Sequence, residues 1–526
     1  MRSLARLVLA AATVLGAPSL AAQQRLDIRY RFSATDPASH LGDVSLQIAS
    51  APGDSTLIQL PAWYPGRYAI YNFAANVQEV RGSCGGSPVP APKLDKETWL
   101  IVCHAGQPIE FAMRVWWNDL SGSHSQIDSL HVNLNPGNVF PYVVGHKQDP
   151  VTVTYAGPTA WTVMNGAVVT PAPGPVTETF PNYDVFIDHP TEISARFTVD
   201  TFTVGRVLYR VMIHAEGSDS RAADARGRLV QAIHRIVQAE VALWGDPPIE
   251  RYTFLMHFIP GNRLGGDGME HLTSTQIIRP FALTDTARLL TVCTSVAHEF
   301  FHTWNMKRLR AKELGPWDYT RENHTTTLWF GEGFTNYYGF RMVYRAGLWD
   351  RERYLARVAE AVSTLQGRPG RLLMSAEQSS FNAWFFDNAP MWQQTNLANT
   401  AISYYTKGEL LAWLLDLEVR AHTAGAKTLD DVMRLMWTRF WLGATTSYYL
   451  QGHGYTDADV LQALNDVAGA DFTDFFRRYV AGVEELPYAA TLARVGLALT
   501  SDNRVEVSTT APAPTRAIGE AWLEGR

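Results

Sequence analysis

Cysteine and long apolar runs are scarce in this chain of 526 residues, and each scarcity excludes a class of protein. Three cysteines are too few for a scaffold built on disulfides. After the first 22 residues no segment has the length and apolarity of a membrane span, so no membrane-spanning segment is expected in the rest of the chain. There is no basic stripe and no low-complexity tract, and the net charge is only −6. Nucleic acid as a partner and a disordered or repeat architecture are therefore disfavoured.

The N-terminal residues have the pattern of a secretory signal. Arg2 and Arg6 precede an apolar run over residues 7–17, and small residues follow up to Ala22. Because this run is too short for a membrane anchor, residues 1–22 are predicted to be a cleaved signal peptide. The short signal is typical of bacteria, so the mature protein is expected to be periplasmic or secreted.

The three cysteines fit an oxidising compartment. Cys84 and Cys103 flank a Gly/Pro-rich turn and a strand-like segment, which permits a disulfide. Sequence spacing does not decide between that disulfide and two free thiols. Cys293 lies on the far face of a predicted helix and is interpreted as a small core residue.

The fold class predicted from the chain is α+β with several domains, because the length exceeds that of one core. Residues 23–205 contain short β-branched and aromatic runs between turn residues, which predicts an N-terminal β-sandwich-like domain. Residues 206–485 have mainly helical periodicity with one small sheet. Residues 486–526 are strand-like again and are interpreted as a β-like tail that fits the opening of an incomplete PDZ module.

A predicted helix over about residues 285–306 carries the sequence HEFFH. Four residues advance about 400° on a helix, so His298 and His302 lie within roughly 40° of each other. Two imidazoles at that spacing can bind one Zn²⁺, and Glu299 can act as general base towards a metal-bound water. The alternative is an amphipathic helix with two unrelated histidines, but the apolar flanks and the secretory context favour zinc.

A third ligand has to come from another element. Glu332 is the best candidate, because it lies within an otherwise apolar and aromatic predicted helix where an unpaired carboxylate is costly to bury. Glu322, in a polar loop, is the rival and His324 a weaker one.

Two further segments are of interest beside the metal. The segment GMEH contains Gly268, Met269 and Glu270 in a predicted loop or edge strand that could pair with an extended peptide, with Glu270 facing it. In YYTKG a tyrosine hydroxyl could donate to an oxyanion. Taken alone, these residues are better explained as a surface loop carboxylate and as two core aromatics at the start of a helix.

In this order, GMEH, HEFFHTWN, LWFGEGFTNYY, YYTKG and DFTDFFRRYVAG resemble the glycyl-aminopeptidase family of gluzincin metallopeptidases. The N-terminal PAWYPGRYAIYNFAANVQ is similar to that family's β-domain signature. The resemblance spans residues 26–490 and implies a thermolysin-like catalytic domain. It also implies His298, His302 and Glu332 as zinc ligands and Glu299 as the base.

More distant relatives, the aminopeptidase-N-like enzymes, carry segments similar to GMEH and YYTKG. That similarity implies that Glu270 binds the substrate's α-amine and that Tyr405 stabilises the oxyanion, with Tyr404 one position off. His271 replaces the asparagine of those relatives, which leaves the geometry at Glu270 open. Members of the closer family usually continue into a PDZ domain.

The sequence therefore predicts a secreted aminopeptidase with one Zn²⁺ per chain that removes N-terminal residues from peptides. Small residues such as Gly or Ala are suggested as substrates by the family alone. A zinc endopeptidase is the first alternative, and a non-catalytic peptide-binding protein on a peptidase fold is the second. The oligomeric state is not indicated by the sequence.

Overall fold

The computed structural model describes residues 25–216, 221–386, 396–444 and 454–525. The predicted signal peptide, residues 1–22, lies outside these ranges. Among the helices described, none is both long enough and apolar enough to cross a bilayer.

The N-terminal region is built from short strands. They are β1 Ile28–Ser33, β2 Leu41–Ile48, β3 Ser55–Gln59, β4 Val77–Cys84, β5 Ser87–Val89, β6 Thr98–Val102, β7 Ile109–Trp116, β8 Gln126–Ile127, β9 Val132–Leu134, β10 Tyr142–Val143, β11 Val151–Ala156, β12 Thr162–Met164, β13 Val176–Phe180 and β14 Thr191–Ser194. A short helix, α1 Tyr183–Ile187, precedes β14.

These strands form three sheets around one apolar core. The largest sheet has the order β13-β11-β1-β2-β7-β4-β5, and the two smaller ones have the orders β10-β3-β6 and β12-β14-β9-β8. Buried and exposed residues alternate along β1, β2 and β7, so one face of the large sheet packs inwards. Its core residues share one buried cluster with residues of the smaller sheets. The predicted β-rich N-terminal domain is thereby confirmed.

The rest of the chain is mainly helical around one mixed sheet. The strands are β15 Thr198–Val204, β16 Val207–Ala215, β17 Arg251–Phe258, β18 Asp267–Glu270, β19 Ser274–Arg279, β20 Leu497–Leu499 and β21 Val505–Val507. The helices are α2 Ala223–Trp244, α3 Thr286–Leu289, α4 Val292–Phe301, α5 Leu328–Arg345, α6 Arg351–Gln366, α7 Ala376–Phe381, α8 Ala383–Phe386, α9 Leu397–Thr400, α10 Tyr404–His422, α11 Leu429–Trp437, α12 Asp457–Ala468, α13 Thr473–Phe475, α14 Tyr488–Arg494 and α15 Ala513–Leu523. This order confirms the α+β fold class.

The mixed sheet places an edge strand against helix α4. Its order is β15-β16-β17-β19-β18, so β18, which carries the GMEH segment, is an edge strand. The strand β15 belongs to this sheet although it precedes the predicted domain boundary at residue 206. Within this sheet β18 therefore pairs with β19 alone.

The predicted long helix over residues 285–306 is instead two short helices, α3 and α4. The Thr291 hydroxyl donates to the carbonyl of Arg288 at 2.6 Å, and this local bond competes with a continuous helix. At the other end Met306 has a φ of 104°, which an α-helix cannot accommodate. The helix α4 ends at Phe301, and His302 is the capping residue that follows it.

Helices α5 and α10 cross at a pair of glycines. A side-chain carbon at Gly333 would collide with the backbone of Gly408, and one at Gly408 would lie 2.8 Å from the Cα of Gly333. The helix backbones can approach this closely only because neither residue has a Cβ. The crossing fixes Glu332 on one helix and Tyr405 on the other relative to each other.

The C-terminal segment packs onto the catalytic domain. The strands β20 and β21 pair there, flanked by the helices α14 and α15, which the sequence did not predict. Leu497, Val505 and Trp522 are buried in the apolar cluster that contains residues of α4, α5 and α10. In the N-terminal domain, Cys84 and Cys103 form a disulfide with a Cα–Cα distance of 5.4 Å, and Cys293 is free and buried.

A buried polar cluster joins the N-terminal domain to the mixed sheet. Glu192 on β14 lies 3.0 Å from the Nδ1 atoms of His131 and His214, and 3.1 Å from Nε2 of His257. Two overlapping sets of side chains here, His131–Glu192–His257 and His131–His214–Glu216, have ligand atoms spaced closely enough to hold a metal ion. Asn133 Nδ2 also donates to Glu192 Oε2 at 3.2 Å. Glu192 is therefore the shared acceptor of hydrogen bonds from His131, His257 and Asn133.

The stability of this cluster depends on pH. Burial alone would lower the pKa of His214, but the Glu192 and Glu216 carboxylates outweigh it and raise that pKa to about 9. Because folding raises the pKa of His214, its protonation stabilises the folded state. This stabilisation is fully present at pH values below the histidine pKa in the unfolded state, which is about 6.5. That stability is lost as the pH rises through about 9.

We predict that Glu192→Gln lowers the free energy of unfolding by about 3–5 kcal/mol, because it leaves buried imidazoles without their carboxylate. The loss of stability of the wild type as the pH rises through about 9 should become smaller in this variant. Chemical denaturation across pH measures both effects. Glu110→Gln, on an exposed position of β7, is the control and should change stability by less than about 0.5 kcal/mol. Equal effects of the two substitutions would contradict the role of the cluster.

Candidate active site

Three side chains meet where α4 lies against α5. Nε2 of His298 is 3.0 Å from Nε2 of His302. Glu332 Oε2 is 3.4 Å from the first of these nitrogens and 3.2 Å from the second. All three ligand atoms belong to one group that could hold a metal ion.

The spacing of these atoms fits a tetrahedral zinc site. Ligand bonds of about 2.0–2.1 Å at tetrahedral angles place neighbouring ligand atoms about 3.3–3.4 Å apart. Glu332 Oε2 is buried and has no hydrogen-bond partner among the described residues. A buried, unpartnered carboxylate oxygen that faces two ring nitrogens is a donor set that suits Zn²⁺.

The tautomer of His302 is set by the turn that ends α4. Its Nδ1 donates to the carbonyl oxygen of Asn305 at 2.8 Å. Neutral imidazole has one N–H, so this bond leaves the Nε2 lone pair directed at Glu332 and His298. The end of α4 at residue 301 thus contributes to the orientation of His302, a predicted zinc ligand.

Glu299 lies beside this group, between α4 and the edge strand β18. If Gly268 carried a side chain, its Cβ would collide with the Glu299 carboxylate. The strand β18 therefore passes directly over that carboxylate. Burial raises the pKa of Glu299 to about 8, with Glu270 and Glu332 adding to the effect and His302 opposing it. The Glu299 carboxylate lies within 4.8 Å of a ring nitrogen of His302, beside the predicted ligands, where the sequence predicts a general base.

Glu270, at the end of β18, also points towards the predicted metal ligands. Its carboxylate, the carboxylate of Glu299 and a ring nitrogen of His302 lie within 4.8 Å of one another. Its other side is bordered by the N-terminal domain, since a side-chain carbon at Gly66 would lie 3.2 Å from both Glu270 oxygens. Met269 is also buried next to Gly66, and a Cβ at Gly66 would clash with the sulfur of Met269.

His271 contacts the N-terminal domain. Its Nδ1 donates to Asp188 Oδ1 at 2.9 Å, and Nζ of Lys307 donates to the same oxygen at 2.9 Å. Burial lowers the pKa of His271. The residue that departs from the distant relatives' pattern therefore anchors the end of the edge strand to the neighbouring domain.

Of the two adjacent tyrosines on α10, Tyr405 has its ring centroid 6.1 Å from that of His298. Tyr404 is buried in the apolar cluster of the catalytic domain. The structure thus brings Tyr405 next to the predicted ligands, and its part in the reaction stays a prediction.

The rival third ligands lie elsewhere. Glu322 belongs to none of the potential metal-binding groups among the described residues. His324 stacks on the ring of Phe381 with centroids 4.7 Å apart. Of the three candidates it is therefore Glu332 that the structure places at the two histidines.

The N-terminal domain also contributes side chains to this site, which the sequence did not predict. Tyr68 donates a hydrogen bond from its hydroxyl to Glu332 Oε1 at 3.2 Å. Arg67 forms an ion pair with Asp267 at the start of the edge strand. The conspicuous aromatic segment PAWYPGRY was the available signal, but nothing in it indicates which distant residues it contacts.

Two family models match the chain. The model described as M61 glycyl aminopeptidase matches residues 291–411, and the one described as Peptidase M61 N-terminal domain matches residues 29–195. Together they cover more than half of the chain. The comparison with curated proteins found no match.

Solved structures of similar fold include an aminopeptidase N family protein and M1 zinc metallopeptidases. An aminopeptidase N family protein from Idiomarina loihiensis is 27% identical, with a TM-score of 0.80 over 90% of this chain and 78% of that chain. An M1 zinc metallopeptidase from Deinococcus radiodurans is 13% identical, with a TM-score of 0.52 over 88% of this chain and 96% of that chain. A mutant M1 zinc metallopeptidase from the same organism was solved bound to a Tyr-Ser-Ala substrate, with 15% identity and a TM-score of 0.51 over the same shares of the two chains.

The family resemblance seen in the motifs is therefore confirmed, and the two low-identity structures agree with the fold. These matches favour an enzyme over a non-catalytic binding protein. The chain belongs to the M61 glycyl aminopeptidase family and is a zinc metallopeptidase.

Proposed function

We propose that the protein is a secreted aminopeptidase that binds one Zn²⁺ per chain and removes single residues from the free N-termini of peptides. The observation that carries this proposal is the position of Glu270. Its carboxylate lies within 4.8 Å of the Glu299 carboxylate, at the point where Gly66 of the N-terminal domain borders the site.

Each residue of the site has a distinct task in this proposal. Zinc held by His298, His302 and Glu332 would supply a Lewis acid that polarises the scissile carbonyl and acidifies water. Glu299 accepts a proton from the attacking water at its carboxylate and passes it to the leaving amine. The Tyr405 hydroxyl donates to the oxygen on which charge develops.

An aminopeptidase differs from an endopeptidase in the part of the substrate on the N-terminal side of the scissile bond, which ends in a free α-amine. A free α-amine is a cation, and Glu270 offers it a fixed anion next to the general base. The loop around Gly66 occupies the far side of Glu270, and a residue N-terminal to the bound amine would have to displace that loop. The backbone of β18, including Gly268, remains the surface along which the substrate chain extends.

Glu299→Gln and Glu332→Ala should separate the base from the metal. We predict that Glu299→Gln keeps zinc and lowers kcat by at least ~10²-fold, because it removes the proton acceptor while preserving size. Glu332→Ala should lose zinc as measured by elemental analysis, since it deletes a ligand. Glu322→Ala is the matched control and should keep both zinc and activity. Loss of zinc in Glu322→Ala with retention in Glu332→Ala would contradict the ligand set.

Glu270→Ala should weaken selection for a free amine. A charge-assisted pair contributes about 1.5–3 kcal/mol, so KM for unblocked peptides is expected to rise about 10–100-fold. Acetylated peptides should be poor substrates of the wild type and should gain relative to unblocked ones in the variant. Internal cleavage of acetylated peptides by the wild type, unchanged by Glu270→Ala, would instead favour the endopeptidase.

Secretion rests on the N-terminal sequence pattern, and the disulfide between Cys84 and Cys103 supports it because such bonds persist in oxidising compartments. We predict that the mature protein isolated from a bacterial host begins near residue 23. N-terminal sequencing of exported protein measures this. A mature protein that retains residues 1–22 would contradict the proposed cleavage.

A further inference from the structure

Tyr68 belongs to the N-terminal part of the chain but packs in the core of the catalytic domain. It lies in the docking segment, which we define as residues 61–68. Trp63 and Tyr64 of this segment are buried in the core of the N-terminal domain. Tyr68, only 5% exposed, is buried in the apolar cluster that contains the zinc helix. The segment therefore crosses from one core to the other within a few residues.

Backbone contacts fix the docking segment on the catalytic domain. Trp63 Nε1 donates to the carbonyl oxygen of Asp318 at 2.8 Å. The amide of Ala62 donates to the carbonyl oxygen of Tyr319 at 2.9 Å. Because both acceptors are backbone atoms of the loop that leads into α5, the position of Tyr68 is tied to the helix that carries Glu332.

The two oxygens of Glu332 have different environments. Oε2 faces the ring nitrogens of His298 and His302 at 3.4 and 3.2 Å. Oε1 accepts the hydrogen bond from the Tyr68 hydroxyl at 3.2 Å. Among the residues that the structure describes, no other side-chain or backbone donor forms a hydrogen bond to Oε1.

We propose that Tyr68 is a positioning residue of the metal site, supplied by the N-terminal domain. By holding Oε1, its hydroxyl selects the rotamer of Glu332 in which Oε2 meets the two imidazoles. Such outer contacts orient a metal ligand before the metal binds and reduce the conformational freedom lost on binding. This inference rests on the ligand set of the proposed function.

The hydroxyl can be tested separately from the ring. Tyr68→Phe keeps the aromatic packing and removes the donor, so the zinc dissociation constant should rise about 10–100-fold in competition with a chromophoric chelator. The visible spectrum of the cobalt-substituted protein should also change, because the freed carboxylate alters the coordination. The melting temperature of the metal-free protein should change little by comparison.

Tyr64→Phe is the matched control. It removes a buried hydroxyl of the same docking segment, which donates to the carbonyl oxygen of Ile187 at 2.7 Å, away from Glu332. Its zinc dissociation constant should stay within about twofold of the wild type, far from the effect expected at Tyr68.

The possible outcomes distinguish the positioning role of Tyr68 from the zinc ligand set itself. Wild-type zinc affinity and an unchanged cobalt spectrum in Tyr68→Phe would overturn the positioning role. Equal weakening by Tyr64→Phe would overturn it as well, because the effect would then come from looser docking of the segment. A wild type that binds no zinc would refute the ligand set itself, and with it any role for Tyr68.

Discussion

A carboxylate in the middle of an apolar helix is the constraint on which this structure depends. Glu332 is 2% exposed and lies on α5 among buried aromatic residues. An uncompensated charge there would cost several kcal/mol, so the surrounding structure has to supply partners. The ring nitrogens of two histidines face one of its oxygens, and a tyrosine hydroxyl of the other domain binds the second.

The two domains are organised around that requirement. The crossing of α5 and α10 at Gly333 and Gly408 brings Tyr405 to the ligand cluster. The docking segment of the N-terminal domain reaches Glu332 on one side and borders Glu270 on the other. The β-rich domain therefore contacts the residues of the candidate active site through its docking segment.

Local patterns in the sequence were sufficient for the mainly helical character of residues 206–485 and for part of the candidate site. The spacing of His298 and His302, and the unusual charge at Glu332, depend on one helical turn and on the cost of burying a carboxylate. The break before α4 was missed because it depends on a bond from the Thr291 side chain to the backbone, which helical periodicity does not reveal.

Contacts between distant segments were beyond the reach of local patterns. Tyr68 and Glu332 are separated by 264 residues, and Lys307 and Asp188 by 119. The buried network around Glu192 likewise joins strands of different sheets, and no periodicity in one strand indicates its partner. The motifs near Glu270 and Tyr405 gained a functional meaning only from the family resemblance, since aromatic and acidic residues at such positions are common in cores and on surfaces.

The most direct test of the central claim is anomalous diffraction at the zinc absorption edge from crystals of the purified protein. The account predicts one strong peak per chain, about 2.0–2.2 Å from Nε2 of His298, Nε2 of His302 and Oε2 of Glu332. The peak should lie on the side of Glu332 opposite to the Tyr68 hydroxyl. A strong peak at another site, or none in a preparation that hydrolyses peptides, would contradict the account.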